Sequence, residues 1–414
     1  MKQQIIDSID DAGKLEQLYR QDQQRFEKCF SEISANYDTA LVNFWKIRLM
    51  PEKTGVLYGI RLKDLIEVLA LALFTAILVL IPAVFPEVDR EFFYLRDLSL
   101  IAFNGIILYS LWINRLFTVK KVLPYGIILV AIALYINLLP VGTHDSVMIA
   151  VLHVPLMLWC FFGITYLKFD YRNLAGRMDF IRFNGELVIM TGLILLAGGL
   201  LTVITFGLFN VIGMDMMKFY IDFFAFPGAV AAPVIAFFLI RTYPQLTSKI
   251  APVLARIFTP VVLVTLAVYL VSLIFSGSKI GENRDLLIVF NVMVLGVLAL
   301  IVFSISGIDK DQTGSKNLLM LFFLSILALI INAIALVFIL SRALDGLTPN
   351  RTVVLITNLL VFVNLILIAV NLFRSCFKGA APEIIEKSVA NYLTVYAVWT
   401  LIAVFILPAV FAFS

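Results

Sequence analysis

The chain predicts an all-α, polytopic transmembrane helix bundle, and three observations carry that prediction. Of its 414 residues 61% are apolar and only 14% charged, and the mean hydropathy of +0.99 lies far outside the soluble range. Eleven apolar stretches succeed one another from Leu65 to Phe413, each close to the roughly 20 residues that cross a ~30 Å hydrocarbon layer. Finally, the Lys and Arg between them fall alternately on opposite sides.

The first element is the polar segment 1–64. Leu15, Leu18, Tyr19, Phe26, Cys29, Phe30, Ile33, Tyr37, Leu41, Phe44 and Trp45 recur at three- and four-residue steps, the pattern of one or two amphipathic helices. Such a stripe is expected to lie on the bundle or the membrane surface, or else to bind a cytoplasmic partner or a second copy. Pro51 and Gly55 end the pattern, and the segment is too short for a catalytic domain. It lacks the compact apolar core of a secretory signal.

The domain 65–414 follows. Its spans run approximately 65 to 85, 98 to 114, 122 to 141, 147 to 167, 186 to 209, 219 to 240, 253 to 276, 286 to 306, 317 to 341, 352 to 373 and 389 to 413. Uniformly apolar runs of this length are helices, because a barrel strand would alternate and a spanning segment must satisfy its own backbone. Twenty basic residues near helix ends fall on one side, among them Lys46, Arg48, Lys120, Lys121, Lys168, Arg172, Arg182, Arg241 and Arg374. Seven fall on the other: Arg90, Arg96, Lys218, Lys279, Arg284, Arg342 and Arg351. The asymmetry places the N-terminus in the cytoplasm and the C-terminus outside. The net charge of +4 restates this inner belt, which faces anionic lipid and gives no reason to expect nucleic acid. Cys29 and Cys376 on the inner side and Cys160 within a span argue against a disulfide.

Polar residues inside the spans are the pointers to function, since an ionised group at mid-bilayer costs on the order of 3 kcal/mol. Asp222 in the sixth span follows Lys218 by four residues, the spacing of a helical ion pair. Pro227 and Pro233 predict a kink in the same helix, and Gly228, Ala232 and Ala236 a smooth packing face. In the tenth span Asn350, Thr357, Asn364 and Asn371 recur every seven residues and share one face. That stripe either bonds neighbouring helices or, with Asn332 and Asn291, lines a polar path. His153 has no metal-ligand neighbour at a suitable spacing and reads as a hydrogen-bonding group. Glu67 and Glu186 sit near inner helix ends, within reach of water or a cation. No metal or cofactor is expected, with the acidic pair Glu87 and Asp89 as the one alternative metal site.

Between spans nine and ten, Gly346 is suited to ending a helix, Thr348 to capping the next and Pro349 to its first position. The string from Arg342 to Arg351, the basic end at Arg374 and the RFNGEL stretch from Arg182 to Leu187 resemble the multi-pass bacterial membrane proteins of the domain-of-unknown-function family 4153. That resemblance implies the bacterial cytoplasmic (inner) membrane and carries no activity or catalytic residue.

Three function classes remain. A transporter or permease-like protein with a polar site between spans six and ten comes first, its partners being the lipid bilayer and a small-molecule or lipid substrate. A non-catalytic scaffold or sensor docking a cytoplasmic partner through residues 1–64 is the second. The third is a glycosyltransferase-like enzyme using a lipid-linked donor, with Glu87 and Asp89 as metal ligands or base.

Overall fold

The structure, a computed structural model, describes residues 2–34, 37, 39–49, 56–57, 60–140, 144–211, 217–244, 258–264, 266–268, 270–271, 284–307 and 316–413. It divides into two compact units, Met1–Leu65 and Ile66–Ser414.

The first unit holds four helices, α1 (Lys2–Ile6), α2 (Ala12–Gln21), α3 (Gln23–Ile33) and α4 (Ala40–Leu49), and a ladder of β1 (Val56–Leu57) with β2 (Ile60–Arg61). Asp11 caps α2 by accepting the Lys14 N–H at 3.1 Å, and this bond holds its carboxyl below the usual carboxylate range. Much of the sequence stripe packs into a core within this unit, while Phe44 stays exposed. Ile5, Leu15, Phe26, Phe30, Ile33, Val42 and Trp45 bury one another, with the Trp45 ring 5.1 Å from Phe26. Arg48 lies over the Trp45 ring at 4.5 Å and bonds Glu16 at 2.7 Å, covering this small core with its alkyl stem. Four short helices replace the expected one or two because each carries too little apolar surface to stand alone.

The second unit takes in all but the first turn of α5 (Leu62–Val79), followed by the one-turn α6 (Ile81–Val84). Among the described residues eight helices are long and apolar enough to cross a membrane, which makes the chain an integral, multi-pass membrane protein. They are α7 (Arg90–Ile113), α8 (Val119–Leu138), α9 (Asp145–Tyr166), α10 (Leu174–Val211), α11 (Met217–Thr242), α14 (Lys316–Leu344), α15 (Pro349–Phe377) and α16 (Glu383–Val410). Between them lie two shorter apolar pieces, α12 (Phe258–Val268) and the Asn291–Ser306 part of α13 (Arg284–Ser306). Much of the expected seventh span, 253 to 276, lies outside the described residues.

Helix α10 starts a dozen residues before the expected span, so Arg177, Arg182 and the RFNGEL stretch are helical rather than loop. Nothing between Leu174 and the apolar run breaks a helix, and its cations find partners at the helix flank: Arg177 donates to the Ala390 carbonyl at 2.9 Å and Arg182 to that of Ser306 at 3.0 Å.

The largest core joins α10, α13, α14, α15 and the start of α16 through residues such as Ile181, Ile301, Leu324, Ile331, Leu365 and Val389. A second joins α7, α8 and α9 to Val404 of α16. Near the basic end, rings from α9, α10 and α11 pack together, Phe183 lying 4.6 Å from Phe237 and Phe162 5.3 Å from Phe180. The Arg241 guanidinium sits 5.2 Å from the Tyr166 ring. At Gly163 even a Cβ would press on Phe180, and at Gly105 it would collide with Thr75 and Val234. These two glycines set the close approaches. Gly228, expected on a packing face, is exposed with open space where its Cβ would be, while Ala232 and Ala236 are fully buried.

Candidate functional site

The sixth span is irregular where its prolines require it. Within α11 a π-turn, Ile221–Ala225, precedes the helical segment Phe226–Thr242, in which Pro227 and Pro233 lie. Asp222 is on that turn. Its carboxylate takes Arg90 of α7 at 3.0 Å instead of the expected Lys218. The pair is partly exposed at the helix ends, where such contacts contribute little.

Asp89, one residue before Arg90, caps α7 by accepting the Phe92 N–H at 2.9 Å, and Glu87 is exposed. The two carboxylates thus have separate surroundings. Among the described residues no three His, Cys, Asp or Glu side chains group as metal ligands.

The polar stripe of α15 is engaged from its N-terminal end onward. Asn350 donates to Asp145 of α9 at 2.6 Å, and Thr357 accepts the Trp399 indole N–H at 3.1 Å. Asn364 donates to the Tyr396 hydroxyl at 2.9 Å, and Tyr392 donates to the Leu360 carbonyl at 2.7 Å. From α14, Asn332 donates to Asn358 at 3.2 Å, and Asn358 donates onward to the Val354 carbonyl at 2.8 Å. Asn371 is half-buried one turn from the basic end.

Among the described residues nine buried side-chain atoms lack a hydrogen-bond partner, Thr352 Oγ1 and Ser375 Oγ of α15 among them, and three of the nine are amide oxygens of α13, α14 and α15. Asn332 is fully buried and Asn364 only 2% exposed, yet the Oδ1 of each has no donor; the same holds for the Asn291 Oδ1 on α13. Exchanging O and N in the Asn332 amide would not cure this, since it only converts an orphan acceptor into an orphan donor. Helices α13, α14 and α15 are packing neighbours, so the three oxygens belong to one part of the bundle.

Helix α11 packs chiefly on α10 and α7, whereas α15 packs chiefly on α14, α16 and α9. Asp222, Pro227 and Pro233 therefore sit in one packing neighbourhood and Asn332, Thr357, Asn364 and Asn371 in another. Asn358, Tyr392, Tyr396 and Trp399 were not singled out in the sequence. The last three repeat at four- and three-residue steps on the final span, an amphipathic aromatic stripe that could have flagged them. His153 bonds the Ile149 carbonyl at 2.8 Å, Glu67 accepts the Trp112 indole N–H at 2.7 Å, and Glu186 is buried near Arg182.

No family model matches the chain, and no curated protein or solved structure matches it significantly.

Proposed function

We propose that the chain is a transporter or permease-like protein that handles a small polar solute at the α14–α15–α16 interface. One observation carries the reading: the acceptor oxygens of Asn332 and Asn364, buried within the span of the bundle and without a donor among the described residues. A buried polar group without a partner costs about 1–3 kcal/mol, and hydrocarbon supplies none. A solute bearing N–H or O–H groups would satisfy both oxygens, with Asn358 and Tyr396 as further partners. The site thereby moves from between spans six and ten to the far side of span ten. Location in the bacterial cytoplasmic membrane, with the N-terminus inside and eleven crossings, belongs to the same proposal; the resemblance at Arg342–Arg351 and the distribution of cations support it.

The test uses the thiol of Asn364→Cys, with Cys29, Cys160 and Cys376 replaced. In a hydrated site a small water-soluble maleimide reacts with it, since thiolate forms only where water reaches. Complete protection of this thiol and of that in Asn371→Cys would reduce the stripe to hydrogen-bonding between helices.

That outcome would put first a membrane-anchored scaffold or sensor, a reading favoured by the self-contained core of residues 1–65.

A further inference from the structure

Helix α8 is tied at its two ends, and in the middle Leu129, Ile132 and Ala133 pack on the α7–α9 core while the helix also borders a cleft. At its C-terminal end Arg96 of α7 bonds the carbonyls of Leu139 and Pro140 at 3.0 and 2.9 Å, and Asp97 accepts from Asn137 at 2.8 Å. At its N-terminal end the Lys121 ammonium lies 5.4 Å from the Phe169 ring, just beyond α9. Between these anchors a cleft of about 420 Å³ separates α8 from α9 and α16, within the ordinary range of roughly 300–1,000 Å³ for small-ligand sites. Tyr125, Ala131, Met157, Cys160, Phe161 and Ala397 are among the side chains lining it. The lining's polar groups are spent elsewhere: the Tyr125 hydroxyl donates to Asn104 at 2.6 Å and that of Thr400 to the Ala397 carbonyl at 2.8 Å. What remains at the wall is ring and methyl, including the stacked pair Tyr125 and Phe161.

We propose that this cleft binds one acyl chain of an anionic phospholipid from the leaflet on the basic side. It lies within the spanning length of three helices, where the surrounding solvent is hydrocarbon, so a tail and not a polar solute fits its wall. The headgroup is assigned by charge. Tyr125 is one helical turn from Lys121, and Ile164, also in the lining, is four residues before Lys168 in the turn after α9; Lys120 and Lys168 are exposed at those helix ends. Three ammonium groups at one end of an apolar slot match a phosphate with its tail running inward. The inference does not depend on the transport reading.

The experiment reconstitutes the full chain in nanodiscs holding phosphatidylglycerol or phosphatidylcholine with a diazirine near the acyl terminus, and maps crosslinks after photolysis. Crosslinks are expected at Ala131, Cys160 and Ala397 above the level on the open face at Leu196 and Val203, and more with phosphatidylglycerol. Ala397→Trp, which fills the slot, should abolish the cleft crosslinks and leave those at Leu196. Ala131→Phe, at an exposed mid-helix position of the lining, does the same without disturbing the interior. Replacing Lys120 and Lys121 by alanine should lower the preference for phosphatidylglycerol by about fivefold per lysine. Cleft crosslinks no denser than those at Leu196, or unchanged in both filling variants, would mean ordinary boundary lipid and overturn the proposal. Equal labelling by the two lipids in the unaltered protein would overturn the headgroup assignment.

Discussion

Arg96 is 5% exposed, and its chemistry explains how a cation is held there. The last carbonyls of a helix have no intrahelical donor. At the end of α8, Pro140 cannot supply an N–H, and the guanidinium serves Leu139, Pro140 and Ile136 together while lying 4.4 Å from the Phe92 ring. Only a planar fork reaches several carbonyls at once. Arg96→Ala should therefore lower stability by about 3 kcal/mol, and Arg96→Lys should recover only part of it. Denaturant unfolding of the purified protein in detergent measures both, and an unchanged midpoint for the alanine variant would show that the carbonyls find water instead. In the sequence this arginine is indistinguishable from one that snorkels outward, because the turn that delivers the carbonyls comes from 40 residues away. Thr348 and Pro349 were readable for the opposite reason. Capping is local, and Thr348 accepts the Arg351 N–H at 3.3 Å with Pro349 opening α15 and Gly346 at φ +130° behind it.

At the scale of elements, the two irregular helices share one cause. Each has a π-turn shortly before a proline: Ile221–Ala225 before Pro227, and Ile402–Ile406 before Pro408. A proline has no N–H to give and its ring crowds the carbonyl four residues back. For Pro408 that carbonyl belongs to Val404, and the Tyr135 hydroxyl of α8 donates to it at 2.9 Å. The bond between helices thus exists because the bond within the helix does not. Tyr135→Phe should cost about 1 kcal/mol in the natural background. In a Pro408→Ala background, where the backbone N–H is restored, the same change should cost almost nothing. An equal cost in both backgrounds of this double-mutant cycle would sever the link between proline and tyrosine. A kink at Pro227 and Pro233 was expected from the sequence, whereas Pro408 was not singled out; where the extra residue of each π-turn falls depends on which donor meets the freed carbonyl. The same dependence on neighbours hid the close contacts at Gly105 and Gly163 behind the more regular spacing of Gly228, Ala232 and Ala236.

At the scale of the whole molecule, alternation of charge anticipates which helix ends lie together. Trp112 meets Glu67, Lys121 meets Phe169, and Arg182 meets Ser306, all at ends the cation count assigns to the inner side. Asn350 meets Asp145, Arg90 meets Asp222 and Tyr94 donates to the Val79 carbonyl at ends assigned to the outer side. Hydropathy gives such pairings because burial in lipid leaves the chain little freedom beyond crossing and returning. It is weaker on number. Eight long apolar helices alone would be an even count, whereas the eleven proposed add α5 and the segments around α12 and α13. Helix α5 is the least secure of these on physical grounds, since it stops at Val79 and carries Lys63, Asp64 and Glu67 in its first two turns. Parity decides the matter. With the native cysteines removed, a thiol at Ser414→Cys should react with an impermeant maleimide in intact cells, while one at Gln17→Cys, an exposed position of α2, should react only after permeabilisation. Labelling of both thiols, or of neither, in intact cells would make the number of crossings even and remove one of the three shorter segments from the membrane. Labelling of Gln17→Cys alone would invert the protein and with it the assignment of the Lys120, Lys121 and Lys168 cluster to the inner leaflet.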